Sequence, residues 1–129
     1  MRRIRSGDTK PELIVRSGLH KRGLRFRVGR SDLPGRPDIV LRKWGAVVFV
    51  HGCFWHQHST CPDGRQPKSN AAYWTSKLAK NRERDLRVRR LLKKQGWRVL
   101  RVWECEILNR QRMEQVLDRL AQRIRTVEL

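Results

Sequence analysis

The segment Gly52-Cys53-Phe54-Trp55-His56-Gln57-His58-Ser59-Thr60-Cys61 crowds two thiols and two imidazoles together, and a third thiol, Cys105, follows much later. Zn²⁺ is borderline-soft, favours thiolate and imidazole, and takes four such ligands in closed structural sites. Cys53, His58, Cys61 and Cys105 make a Cys₃His set of that kind. His56 competes with His58 for the imidazole position, because side chains two apart in an extended segment point the same way. Three cysteines cannot all pair with one another, and a reducing cytosol disfavours disulfides, so metal ligation is the better use for them. The plain alternative is that buried thiols fill a core. As a ligand, Cys105 would close a loop of about fifty residues and clamp an irregular segment where burial alone could not.

A second constellation lies just upstream. Asp38 follows Pro37 at the start of an apolar run, and His51 ends the next such run, immediately before the cysteine and histidine cluster. Mg²⁺ wants one or two carboxylate oxygens, several waters and a substrate phosphate, and a strand-end carboxylate beside a histidine can supply such a site. Aspartate after proline is also an ordinary turn pair, so spacing alone leaves both readings open.

These residues need elements to position them. Thr9-Lys10-Pro11-Glu12 reads as a helix start, with Thr9 capping, Glu12 as its reciprocal partner and Pro11 in the first turn; the helix should stop near Gly23. Residues 25–28 are a short strand candidate, and residues 31–37 are a loop broken by two prolines and a glycine. Asp38-Ile39-Val40-Leu41 and Ala46-Val47-Val48-Phe49-Val50 are β-branched runs joined by Arg42-Lys43-Trp44-Gly45, a length that suits an antiparallel hairpin. Residues 52–72 form a long irregular excursion of the kind that is usually functional or tied down. Trp74, Leu78, Val88 and Leu92 then fall on one side of a helix over residues 73–95, with Asn81 and Asp85 in the same stripe and Gly96 as its stop. Residues 97–103 alternate as a strand, and residues 110–125 form a last helix burying Met113, Val116, Leu117, Leu120 and Ile124. The order is α, β, β, β, α, β, α in a single domain spanning residues 1–129.

The charge says what this scaffold meets. Thirty-one Lys and Arg against 12 Asp and Glu leave +19 on 129 residues, an imbalance that strains a small fold unless a polyanion offsets it. Nucleic acid is the leading partner, although packing proteins and polybasic membrane-surface proteins carry similar charge. No apolar run reaches the roughly 18 residues that span a bilayer, and no signal-peptide core follows the N-terminal MRRIRSGDTK. The expectation is a soluble, cytoplasmic protein, associated with the nucleoid when bound to DNA. Hydrophobic residues are 38% of the chain, so the core must be modest and a metal staple would help it.

Four words, Leu33-Pro34-Gly35-Arg36-Pro37-Asp38, His51-Gly52-Cys53-Phe54-Trp55-His56, Lys80-Asn81-Arg82-Glu83-Arg84-Asp85 and Gly96-Trp97-Arg98-Val99-Leu100-Arg101-Val102-Trp103-Glu104-Cys105, together resemble the very-short-patch repair (Vsr-type) DNA mismatch endonuclease family. The resemblance implies an α/β restriction-endonuclease-like fold of the PD-(D/E)xK kind, with a mixed central sheet flanked by helices and a structural zinc. It implies a Mg²⁺-dependent enzyme that nicks double-stranded DNA 5′ to the thymine of a T:G mismatch left by deamination of 5-methylcytosine. Position by position, Asp38 resembles the family's metal-binding carboxylate, with the Val50 backbone carbonyl beside it. His51 and His56 resemble the histidines that manage water and phosphate, and Glu12 the supporting acid. The family's zinc ligands fall on Cys53, His58, Cys61 and Cys105, which leaves His56 for the chemistry. Phe54, Trp55 and Trp74 match rings that intercalate at the mismatch, and Met1 a wedge on a short N-terminal arm; Asn81, facing inward on its helix, is expected near the DNA or the active site. Apolar wedges cost least at a mismatch, which supplies selectivity. Val50 stands where the family pattern has threonine, and the step from His58 to Cys61 is one residue longer than usual.

A monomer suffices for a single nick, with other repair-pathway proteins as further partners. Basic side chains of residues 77–94 supply phosphate contacts or else form a solvated face. Two other readings compete: a zinc-stabilised nucleic-acid-binding protein without catalysis, and a restriction or defence nuclease of the same fold with another target. Nicking of mismatched against matched duplex separates all three.

Overall fold

The computed structural model describes residues 9–28, 32–52 and 70–126. Helix α1 (Lys10–Lys21) begins as its sequence dictates. Glu12 Oε2 accepts the Thr9 amide at 3.0 Å and the Thr9 hydroxyl at 2.7 Å, while Thr9 Oγ1 accepts the Glu12 amide at 3.4 Å. Two of the orphan amides of the first turn are thereby satisfied.

Strand β1 (Ile39–Leu41) and strand β2 (Ala46–His51) pair antiparallel across a 3₁₀ turn at Arg42–Trp44, in the register Ile39 with Val48 and Leu41 with Ala46. Strand β3 (Arg98–Trp103) lies parallel to β2, Val47 opposite Val99 and His51 opposite Trp103. A parallel neighbour cannot be reached by a tight turn, and helix α2 (Ala71–Lys94) lies in the intervening crossover. Helix α3 (Glu104–Ile107) follows β3 at once, and helix α4 (Met113–Arg125) ends the described chain. Among the described residues the sheet is three-stranded and mixed, in the order β1-β2-β3, with helices on both faces.

Alternation along the strands decides which helix covers which face. Ile39, Leu41, Val48, Leu100 and Val102 pack against Val15 and Leu19 of α1, Ile107 of α3 and Leu117, Leu120 and Ile124 of α4. Val40 and Val47 face the other way, onto Leu92 and Val88 of α2. Each fully buried leucine or isoleucine contributes roughly 1.5–3 kcal/mol by removal from water. α1 and α4 meet closely at Gly18, where a Cβ would stand 2.5 Å from Leu117 Cδ1. Arg22 ties the same helices together, its guanidinium donating to Asp118 at 2.7 Å and Glu114 at 2.9 Å.

The Arg98 guanidinium closes the C-terminal end of α4. It donates to the carbonyls of Arg123, Ile124 and Thr126, and to that of Trp44 before β2. Those helix carbonyls have no intrahelical partner, so one cation satisfies three of them and pins α4 to the sheet.

Three expectations shift. The strand expected at residues 25–28 is a single bridge between Arg27 and Val40, because Leu24 and Phe26 anchor the segment by packing into the core rather than by a continued ladder. The last helix starts at Met113 rather than at residue 110. Asn109 Oδ1 accepts the amides of Gln111 and Arg112 there, which holds a turn ahead of the helix. The short α3 was not foreseen. No helix among the described residues is long and apolar enough to cross a membrane.

Candidate active site

Asp38 and Glu12 meet where the start of β1 passes the first turn of α1. Glu12 is 4% exposed, its Oε2 already taken by Thr9, and its carboxyl hydrogen-bonds Asp38. Asp38 Oδ2 accepts the Val50 amide at 2.7 Å, across the hairpin. Three elements therefore fix one carboxyl group: the loop before β1 carries it, β2 orients it, and α1 brings a second carboxyl against it.

Two carboxyls in hydrogen-bond contact cannot both ionise cheaply. Burial, the hydrogen bond with Glu12 and the Glu12 charge push Asp38 up to about 8, against the pull of the Val50 amide and Arg16. Burial also raises Glu12, but the hydrogen bonds from Asp38 and Thr9 and the charge of Arg16 outweigh it and hold Glu12 low. The pair shares one proton. A site that must keep a proton to limit its own negative charge is one that a divalent cation would fit, replacing the proton.

His51 follows Val50 at the end of β2 and is 8% exposed. Its ring meets Trp103 edge-on at 5.4 Å and Phe49 at 5.8 Å, so its orientation is set by β2 and β3 together. It also lines a cleft between the sheet and α2, with Phe49, Asp85, Arg89 and Arg101. Cys105 sits half-buried on α3, two residues beyond Trp103. Because Trp103 and His51 are in register, Cys105 lies at the sheet end from which the chain leaves Gly52 toward Cys53. Trp74 is half-buried near the start of α2, its ring 5.0 Å from Tyr73, and Asn81 is half-buried further along the same helix.

The family model for the DNA mismatch endonuclease Vsr matches residues 1–62. The chain is 43% identical over 122 residues to the DNA mismatch endonuclease Vsr of Escherichia coli K12, covering 93% of this chain and 78% of that protein. It is 46% identical over 125 residues to the type II nicking enzyme V.NmeAIP of Neisseria meningitidis, covering 97% and 89%. It is 52% identical over 107 residues to the type II nicking enzyme V.XorIIP of Xanthomonas oryzae, covering 83% and 78%. The chain belongs to the Vsr DNA mismatch endonuclease family.

Within this Vsr-family chain the structure unites Glu12, Asp38 and the Val50 strand end, with His51 next along β2. Trp74 and Asn81 lie on a separate helix, and Cys105 stands just past the C-terminal end of β3, the sheet end that also carries His51. Met1, Cys53, Phe54, Trp55, His56, His58 and Cys61 lie outside the described residues. Among the described residues there is no group of three or more His, Cys, Asp or Glu side chains that could hold a metal by itself. Sequence reasoning did not single out Arg89 or Arg101, which line the cleft beside His51. A signal was present: Arg89 follows Asp85 by four positions, which puts the two on one helix face.

Proposed function

We propose that this chain is a DNA-nicking endonuclease that cuts 5′ to the thymine of a T:G mismatch and so starts very short patch repair. The observation that carries the reading is the pairing of half-buried Asp38 with buried Glu12, locked by the Val50 amide one residue from His51, on a chain of net charge +19. The helix cap accounts for the Glu12 carboxyl but not for a second carboxyl, Asp38, held against it, and withdrawing that pair from water costs stability unless a ligand uses it.

Asp38, with the Val50 carbonyl beside it, would hold Mg²⁺, and Glu12 would support that carboxylate. When bound, Mg²⁺ supplies Lewis-acid stabilisation of charge on the phosphate. The protein's own groups do the rest. The Val50 amide keeps Asp38 aimed, so no rotamer search is needed at the moment of reaction. Thr9 holds Glu12 in place through the helix cap. His51, braced by Trp103 and Phe49, and His56 manage the proton of the attacking water, since imidazole titrates most readily near neutral pH.

Zn²⁺ on Cys53, His58, Cys61 and Cys105 would tie the segment after β2 to the end of β3. The position of Cys105 at that end of the sheet supports this, and a half-buried thiol suits a closed soft site. Phe54, Trp55 and Trp74 would wedge at the mismatch, with Asn81 and Met1 against the DNA.

The test is strand nicking of T:G-mismatched and matched duplexes in several sequence contexts with Mg²⁺. Cleavage of the mismatched duplex alone, 5′ to its thymine, is expected. Equal cutting of matched duplex would make the chain a nuclease with another target. Binding without any cutting would make it a DNA-binding protein.

A further inference from the structure

The cleft between α2 and the sheet is lined by two cations and one carboxylate. Arg89 from α2 and Arg101 from β3 both line it, together with a single carboxylate, Asp85. The parallel register puts Arg101 beside Phe49 and Trp103 beside His51, so Arg101 stands one pleat back from His51 on the same face of the sheet. Its guanidinium lies 5.3 Å from the Trp103 ring, the ring that also braces His51.

Other internal arginines show what a structural role looks like here. Arg98 spends its N–H groups on four backbone carbonyls, and Arg22 spends its own on two carboxylates and the Gly18 carbonyl. Arg89 differs, for its Nε is buried with no hydrogen-bond partner. Such a donor destabilises the fold unless an acceptor arrives. Arg101 is exposed as a residue, yet partial burial of its guanidinium and the charge of Arg89 lower its proton affinity, only partly offset by Asp85. Two guanidiniums lining one cleft with a single carboxylate leave room for a further anion to offset their repulsion.

We propose that Arg89 and Arg101 form a clamp for a DNA backbone phosphate in the cleft beside His51, with Asp85 orienting the forks. The proposal rests on the endonuclease reading above for the identity of the anion. Planar guanidinium forks match phosphate oxygens two at a time, which a lysine cannot do. The clamp thus fixes the strand relative to His51, and its residues are positioning residues for the nick.

Fluorescence anisotropy of a labelled T:G duplex with the full chain, in Ca²⁺ and a series of NaCl concentrations, tests it. Arg89→Gln and Arg101→Gln should each reduce the slope of log affinity against log salt by about one. Arg101→Lys should keep that slope but slow nicking in Mg²⁺ by about tenfold or more, because charge is retained and the fork is lost. Arg119→Gln, on the exposed face of α4, should leave the slope unchanged. Unaltered slopes in the two glutamine variants, or an equal reduction in Arg119→Gln, would overturn the clamp. Should Arg89→Gln fail to fold, the solvent-open Arg101→Gln decides. A wild-type chain that nicks while the glutamine slopes stay unaltered removes the clamp alone. A wild-type chain that nicks no duplex removes the endonuclease reading instead.

Discussion

Asp38 carries two kinds of consequence, and one substitution separates them. Asparagine at 38 mimics the protonated acid: its carbonyl can still accept the Val50 amide, and its amide can donate to Glu12. Asp38→Asn should therefore fold and bind DNA, yet lose nicking by about a thousandfold, or roughly 4 kcal/mol of transition-state stabilisation. The same residue sets a pH dependence. Its folded-state value of about 8 lies above the ordinary 3.8, so the native state holds the proton more tightly than the unfolded chain. That stability is complete below about 4 and is lost as pH rises through about 8. Glu12, held low, works oppositely and only in the acid range below 4.5. With Mg²⁺ withheld, the wild-type melting temperature should fall between pH 5 and 8, measured by scanning fluorimetry at roughly constant ionic strength. Asp38→Asn should flatten that fall, and equal slopes would show that the carboxyl pair does not share a proton. The Thr9–Glu12 cap was legible from residue type and spacing, whereas spacing left Asp38 and His51 open between a site and an ordinary turn, and the family resemblance singled them out. The contact between Glu12 and Asp38 was not a matter of spacing, because it joins a helix start to a strand start 26 positions on and only packing brings them together. Arg101 was illegible for the same reason, and Arg89 carried only its four-residue spacing from Asp85 to mark it among many arginines.

At the scale of elements, the loop that presents Asp38 depends on helix α2 behind it. Gly35 has φ +72, and a Cβ there would stand 2.4 Å from Val88 Cγ1, so it is both a left-handed position and a close approach. Gly35→Ala should cost about 2–4 kcal/mol from the two effects together. It should also slow nicking, because small misplacements of a catalytic group are expensive. Adding Val88→Ala should return the steric share but not the backbone share, so denaturation of the four proteins in a double-mutant cycle should show favourable coupling. Strict additivity would mean that the loop does not press on α2. The helices and the β1–β2 hairpin were readable because period and caps are local. The truncation of residues 25–28 to a bridge and the insertion of α3 were not, since both follow from what the neighbouring core accepts. Cys105 is the test of the proposed zinc at this scale. Cys105→Ser should lower zinc content and melting temperature together, the latter by about 5 °C or more, and unchanged values of both would refute the clamp on β3.

Across the whole molecule the charge acts in two directions at once. There are only 12 Asp and Glu to offset 31 Lys and Arg, and of these Glu12 and Asp38 are engaged with one another rather than with a surface cation. In a domain with a radius of gyration of about 14 Å, the Debye length of about 30 Å at 0.01 M salt lets nearly every cation feel the others, whereas about 8 Å at 0.15 M confines repulsion to neighbours. Melting temperature without DNA should therefore rise with NaCl over that range, although salt weakens each surface ion pair individually. Affinity for duplex DNA should fall steeply over the same range, because each counterion released into a saltier solution gains less entropy. The stabilisation that DNA confers follows its affinity, so the melting curves with and without duplex should converge as salt increases. A melting temperature that is flat or falling with NaCl in the absence of DNA would mean that the cations are compensated locally. The excess charge would then act on the bound DNA alone, without straining the fold that carries it.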